Sequence, residues 1–180
     1  MLLAVAVKYR IVARDPKETK GVRTFLNFGH TVAHALELAF GMSHGAAVAW
    51  GMAAAAEVSR DLGMDRVHAE RLLDHVEPLL GPMSGFTERL PFERLEALVA
   101  RDKTRIGGAL RSVVLDAPGA PRVPREVSPT QWYDAVLCAE RRWRTGSFEL
   151  PHTEPASITG ALEVEASKSE LNRALTIAHL

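Results

Sequence analysis

Histidines concentrate in one stretch of this chain: His30, His34 and His44 fall within fifteen residues, inside Leu26-Asn27-Phe28-Gly29-His30-Thr31-Val32-Ala33-His34 and Ser43-His44-Gly45. On a helix His30 and His34, four apart, share one face. A short turn at Gly41 can fold His44 back beside them, so that neutral imidazole nitrogens converge on one divalent cation such as zinc. Spacing alone leaves a second reading open, in which the rings are hydrogen-bonded packing residues on a polar helix face. Towards the other end, Ala166-Ser167-Lys168-Ser169-Glu170-Leu171-Asn172-Arg173 follows a strand-like segment and opens a helix. Lys168, Ser169 and Arg173 can there point at one anion, because a helix start adds its own partial positive charge. A solvated basic helix start is the alternative.

The elements that must position these groups are mostly helical. Residues 2 to about 13 have helical apolar spacing, which should stop before Asp15-Pro16 because the residue preceding a proline is pushed out of helical geometry. The spacing predicts a helix over Phe25 to Phe40 ending at Gly41, and a more apolar one from His44 to about Asp61 ending near Gly63. Asp65 caps a third, through about Val76. Beyond a loop over Gly81 to Glu88, Pro91 suits the first position of a helix reaching about Arg101, where a missing amide hydrogen costs nothing. Ala109 to Leu115 alternates like a strand. Ser128-Pro129-Thr130-Gln131 combines a cap hydroxyl, a first-turn proline and a capping-box glutamine, predicting a helix from Pro129 to about Trp143.

The expected fold is therefore mainly α over residues 1–143, with a short strand pair. Residues 144–156 hold Pro151 and Pro155, show no period and read as a linker. Residues 157–180 read as a truncated α/β segment: Ile158 to Ala166 supplies strands and Leu171 onwards starts an amphipathic helix. A tail of roughly 25 residues cannot build its own core. The opening apolar run has no capping residue before it and resembles a helix entered midway, so the chain is expected to be a piece of something longer.

Composition excludes several classes. The 180 residues are 47% hydrophobic and 24% charged, the profile of an ordinary folded chain. Lys plus Arg and Asp plus Glu both total 22, so no basic surplus exists for a sequence-independent grip on nucleic acid. The longest apolar run, Ala46 to Ala56, is too short to span a bilayer and reads as a buried helix. The single cysteine, Cys138, excludes both an internal disulfide and a four-cysteine zinc module. Neither a nucleic acid nor a membrane is an expected partner, and the expected compartment is the cytoplasm.

The wording of Arg23 through Glu37, followed by His44-Gly45-Ala46-Ala47-Val48-Ala49-Trp50-Gly51-Met52, resembles the signature of 3-dehydroquinate synthases, and the similarity runs from about Lys8 to Trp143. The resemblance implies a helical C-terminal domain packed against an N-terminal dinucleotide-binding domain that is missing here. Between them would lie NAD, a divalent metal (Zn2+ or Co2+) and a sugar-acid phosphate, in a homodimeric enzyme. By that resemblance His30 and His44 are metal ligands, completed by a glutamate upstream of this chain, whereas His34 contacts substrate. Lys8, Arg23, Asn27 and Lys103 match positions that hold the substrate's phosphate and carboxylate, which need fixed cations and amide donors. Lys8 lies one residue further from Arg23 than expected, implying a loop insertion. Glu37, seven residues from His30, is expected to support its helix rather than bind metal. The implied reaction converts 3-deoxy-D-arabino-heptulosonate 7-phosphate to 3-dehydroquinate with loss of phosphate, transient use of NAD and no net redox change. The isolated chain is expected to be inactive.

Two departures qualify the match. Ala33 stands where the wording usually has glycine, and Ala46 where an acidic residue usually follows His44-Gly45. A carboxylate beside a metal-bound histidine orients the ring and raises its basicity, so Ala46 predicts a weakened site. The tail from Ile158-Thr159-Gly160 through Arg173 resembles the start of 5-enolpyruvylshikimate-3-phosphate synthase, with Leu171 in place of a common serine. That implies a fusion of two enzymes of one route, with Lys168, Ser169 and Arg173 on substrate phosphate. Competing readings are another sugar-phosphate cyclase, a metal-dependent alcohol dehydrogenase and a non-catalytic helical interaction module.

Overall fold

A computed structural model of the chain describes residues 2–17, 19–81, 83, 85–101, 105–106, 109–110, 112–124 and 127–145. Lys103, the linker beyond residue 145 and the tail with Lys168, Ser169 and Arg173 lie outside the described residues. The described helices are α1 (Leu2–Arg14), α2 (His30–Phe40), α3 (His44–Asp61), α4 (Arg66–Val76), α5 (Phe86–Arg89), α6 (Phe92–Arg101) and α7 (Pro129–Thr145). Tight 3-10 turns cover Val22–Asn27 and Glu77–Leu79. Two small antiparallel pairs complete the set: β1 (Arg105–Ile106) with β2 (Ala109–Leu110), and β3 (Val114–Ala117) with β4 (Ala120–Arg122). The architecture is mainly helical, as the apolar periodicity predicts. Among the described residues no helix is long and apolar enough to cross a membrane.

Helix α3 is the axis of the core. Every residue from Ala47 to Ser59 is buried, as a helix apolar on all sides requires. Its alanines keep it narrow, so α2, α4 and α7 pack directly on it, and α6 lies against α2 and α7. Trp50, fully buried, donates its Nε1 hydrogen to the Gly81 carbonyl at 3.0 Å and meets Trp143 edge-on at 5.7 Å between ring centroids. Arg142 on α7 bonds Glu70 and Asp74 on α4, tying the two helices that flank α3.

Local sequence explains most element boundaries. Asp65 caps α4 by accepting the Val67 amide at 2.8 Å. Ser128 and Gln131 form a reciprocal capping box: Gln131 N donates to Ser128 Oγ at 3.2 Å and Ser128 N to Gln131 Oε1 at 2.9 Å. Three expectations are corrected. The continuous helix over Phe25 to Phe40 is broken, because Gly29 adopts φ +83° and separates the 3-10 turn from α2. The loop over Gly81 to Glu88 contains the start of α5, which seats Phe86 between Phe40 and Tyr133. Ala109 to Leu115 is not one strand but parts of two hairpins, since Ser112, Val113, Val114 and Leu115 are buried in succession rather than alternately.

Ser59 joins α3 to the second hairpin: its hydroxyl donates to Ala55 O and accepts the Leu115 amide at 3.0 Å, with both sites buried. Removing the hydroxyl strands a buried amide, which costs about 1–3 kcal/mol. Ser59→Ala should therefore lower the urea-unfolding midpoint with unchanged slope, and an unaltered midpoint would dismiss the link.

Candidate functional site

Two glycines and a serine decide where the histidines stand. Gly29 and Gly51 lie backbone to backbone: a Cβ on Gly51 would run into the Gly29 carbonyl, and one on Gly29 would lie 2.8 Å from Met52 N and 2.9 Å from Val48 O. The start of α2 is thereby laid onto the middle of α3. Gly41, at φ +64°, ends α2 with its amide donating to Glu37 O at 2.9 Å. Ser43 then caps α3 by accepting the Ala46 amide at 3.4 Å. His30 and His44 are consequently the first residues of α2 and α3, at two adjacent helix starts.

The three rings converge. Their centroids lie 5.4 Å apart for His30 and His44, 6.2 Å for His34 and His44, and 6.5 Å for His30 and His34. Two imidazoles sharing one tetrahedral zinc, each about 2.1 Å from it, have centroids about 5.2 Å apart and cannot exceed about 6.4 Å. The His30 and His44 pair is nearest the tetrahedral spacing, and the His34 ring lies further from each of them than they lie from one another. His34 is also the most solvent-exposed of the three, as a group meeting an incoming ligand would be.

Each ring of the pair is anchored through Nδ1. His30 Nδ1 lies 3.3 Å from the Phe28 carbonyl and His44 Nδ1 lies 2.6 Å from Glu37 Oε1. Both partners only accept, so these contacts favour the tautomer with its hydrogen on Nδ1, which leaves Nε2 a lone pair for a metal. The residues therefore fit a divalent cation. Glu37 corrects the sequence expectation: its carboxylate reaches across to the next helix instead of supporting its own. The signal was present, since residues 30, 34 and 37 form one stripe on a helix.

Arg23 and Asn27 sit half-buried on the 3-10 turn that leads into His30, and α1, carrying Lys8, rests on that turn. The loop entering the turn is organised by Asp15, which sequence reasoning read only as a helix stop. Its buried carboxylate accepts the amides of Thr19 at 2.8 Å, Lys20 at 3.0 Å, Val22 at 3.1 Å and Arg23 at 3.5 Å. Desolvation pushes its pKa up, but the amides of Lys20, Arg23, Thr19 and Val22 together outweigh it and hold the group below the usual carboxylate range. A depressed folded-state pKa contributes stability that is present above the unfolded value near 4 and is lost as pH falls through the folded one. Asp15→Asn should destabilise the chain at pH 7, and the gap from wild type should shrink below about pH 4. Urea melts across that range check it, and a gap independent of pH would refute the carboxylate's role.

A second polar cluster lies about 20 Å along α3 from His44, thirteen residues on at 1.5 Å each. There burial pushes Glu57 up, opposed by Arg60 at 2.7 Å, and burial likewise pushes the Cys138 thiol up. A thiol so placed is a poor nucleophile. The chemistry therefore centres on the histidines.

Comparison with known proteins shows the family. Residues 2–105 match the family described as 3-dehydroquinate synthase C-terminal. The chain is 41% identical over 134 residues to the 3-dehydroquinate synthase of Rhodopseudomonas palustris, covering 68% of this chain and 35% of that protein. It is 41% identical over 128 residues to that of Salinibacter ruber, covering 69% and 34%. With the Mycolicibacterium vanbaalenii protein of the same name it shares 43% over 121 residues, covering 66% and 33%. The chain spans about a third of the length of the curated relatives it matches.

Proposed function

The chain belongs to the 3-dehydroquinate synthase family, and on that premise we propose that it is the metal-holding helical part of an enzyme converting 3-deoxy-D-arabino-heptulosonate 7-phosphate to 3-dehydroquinate and phosphate. The observation that carries the reading is the His30 and His44 pair, 5.4 Å apart with both Nδ1 atoms tied back. These two would hold Zn2+ or Co2+, with a glutamate from polypeptide outside the described residues as third ligand. The bound cation supplies Lewis-acid polarisation of substrate oxygens. NAD would be held by a dinucleotide-binding domain outside the described residues and supplies reversible hydride chemistry.

This chain's own residues bind and orient. His34, on the face of His30 but with its ring further from both others than they are from each other, would contact substrate. Arg23 and Asn27 would hold its anionic and hydroxyl groups from the 3-10 turn, with Lys8 and Lys103 as further cations on the same groups. Held cations and amides keep one geometry through successive steps, which is where such a site gains its rate. We extend the proposal to a homodimeric, cytoplasmic enzyme. Residues 157–180 would begin a second, 5-enolpyruvylshikimate-3-phosphate synthase-like unit that uses Lys168, Ser169 and Arg173 on phosphate. The coding DNA beyond codon 180 tests that extension.

The activity test joins this chain to a dinucleotide-binding domain and supplies the heptulosonate phosphate, NAD and Zn2+ or Co2+. Dehydroquinate with equimolar phosphate is the expected product, and the chain alone is expected to give none. Phosphate release with a different cyclitol would instead assign a related sugar-phosphate cyclase. Accumulating NADH without phosphate release would assign an alcohol dehydrogenase, and metal binding with neither reaction a non-catalytic helical module.

A further inference from the structure

We propose that Glu37 is a positioning residue, whose carboxylate locks the His44 ring with Nε2 aimed at the divalent cation and contributes the negative charge that cation needs. The inference rests on the reading of His30 and His44 as metal ligands. Its geometry is direct: Glu37 Oε1 lies 2.6 Å from His44 Nδ1, with the two side chains 24% and 35% exposed, so water screens the contact only in part. A carboxylate accepts only, which favours the hydrogen on Nδ1 and the lone pair on Nε2. A charged acceptor behind a ligating imidazole also brings the cation negative charge that a carbonyl does not, so His44 is the better-backed ligand and His30, backed by Phe28 O, the weaker.

Glu37 is not placed as a ligand itself, although donor atoms of His34, Glu37 and His44 all lie within 4.8 Å of one another. Two donors on one tetrahedral ion, each about 2.1 Å from it, stand about 3.4 Å apart. The 2.6 Å spacing is that of a hydrogen bond. The arrangement also answers an electrostatic demand. His30 and His44 sit at the starts of α2 and α3, whose dipoles both turn their positive ends towards the site and disfavour a cation there. Ala46, in the first turn of α3, offers only a methyl, so a carboxylate from the last turn of α2 offsets that field. Because Glu37 follows His30 by two helical turns, one rigid helix carries one ligand and the orienting group of the other.

Two measurements on the 180-residue chain test this, with circular dichroism verifying that each variant folds. Long-range proton–nitrogen correlation spectra of the metal-free chain report which ring nitrogen carries the hydrogen. His44 should be protonated on Nδ1 in wild type and in Glu37→Gln, whose amide oxygen still accepts, and should shift towards Nε2 in Glu37→Ala. Cobalt titration should show affinity falling about tenfold to a hundredfold in Glu37→Ala and less in Glu37→Gln. A wild-type His44 with its hydrogen on Nε2, or Glu37→Ala matching wild type in both tautomer and cobalt affinity, overturns the proposal. His44→Ala separates the two claims. Cobalt affinity lost in His44→Ala and kept in Glu37→Ala sinks the role of Glu37 alone. In the chain joined to the polypeptide that carries the third ligand, a wild type that does not bind cobalt, or a His44→Ala variant that binds as wild type does, sinks the metal reading and this inference with it.

Discussion

Gly51→Ala should lose about 3 kcal/mol or more of folding stability, although alanine is the better helix former by about 1 kcal/mol. Overpacking a core with one methyl ordinarily costs about 1–3 kcal/mol, because side chains can turn aside. Here the added Cβ meets the carbonyl of Gly29, a backbone group with no rotamer to change. Relief requires α2 to lift from α3, and that contact is among the broadest in the core. The loss is a large share of the 5–15 kcal/mol typical of a domain, so the urea midpoint should fall sharply. Lifting α2 also moves His30 away from His44, so cobalt affinity should drop in whatever fraction still folds. A midpoint equal to or above wild type would mean that the two backbones are not in contact.

The second large effect is a split among the histidines. His30→Ala or His44→Ala should weaken cobalt binding more than a hundredfold, since even an orienting group behind a ligand is worth about tenfold to a hundredfold. His34→Ala should leave metal affinity within about threefold, because its ring stands 6.5 and 6.2 Å from His30 and His44, which lie 5.4 Å from each other, nearer the spacing of two ligands on one tetrahedral ion. Isothermal titration of the chain with cobalt checks all three variants. Equal losses at all three positions would replace the pair with a three-histidine centre. A loss confined to His34 and His44 would favour a site built with Glu37 as ligand.

Much of the helical frame is legible in the residues. The capping box at Ser128 and Gln131, the Asp65 cap, the stop at Asp15-Pro16 and the all-round apolar run of α3 are local signals, each satisfied by atoms a few residues away. The misreadings share one cause. Phe25 to Phe40 keeps a helical apolar spacing through Gly29, and only the collision with α3 forces the positive φ that breaks it. Ala109 to Leu115 alternates on paper, yet the core encloses Ser112 through Leu115 on every side. The stop at Asp15 holds as read, and its carboxylate in addition collects four amides from a loop whose path is not written in any period.

The order of the residues by itself determined that this chain is mainly helical, that α2 carries His30, His34 and Glu37 on one stripe, and that a bend at Gly41 separates them from His44. Those are consequences of backbone periodicity and of which residues tolerate a turn. Only the tertiary structure decided that the His30 and His44 rings lie nearest each other of the three, and that the Glu37 carboxylate reaches His44. Both outcomes depend on how closely α2 lies on α3 and at what angle the chain leaves Gly41. Those quantities are set by two facing glycines 22 residues apart, Gly29 and Gly51, whose contact no local pattern encodes.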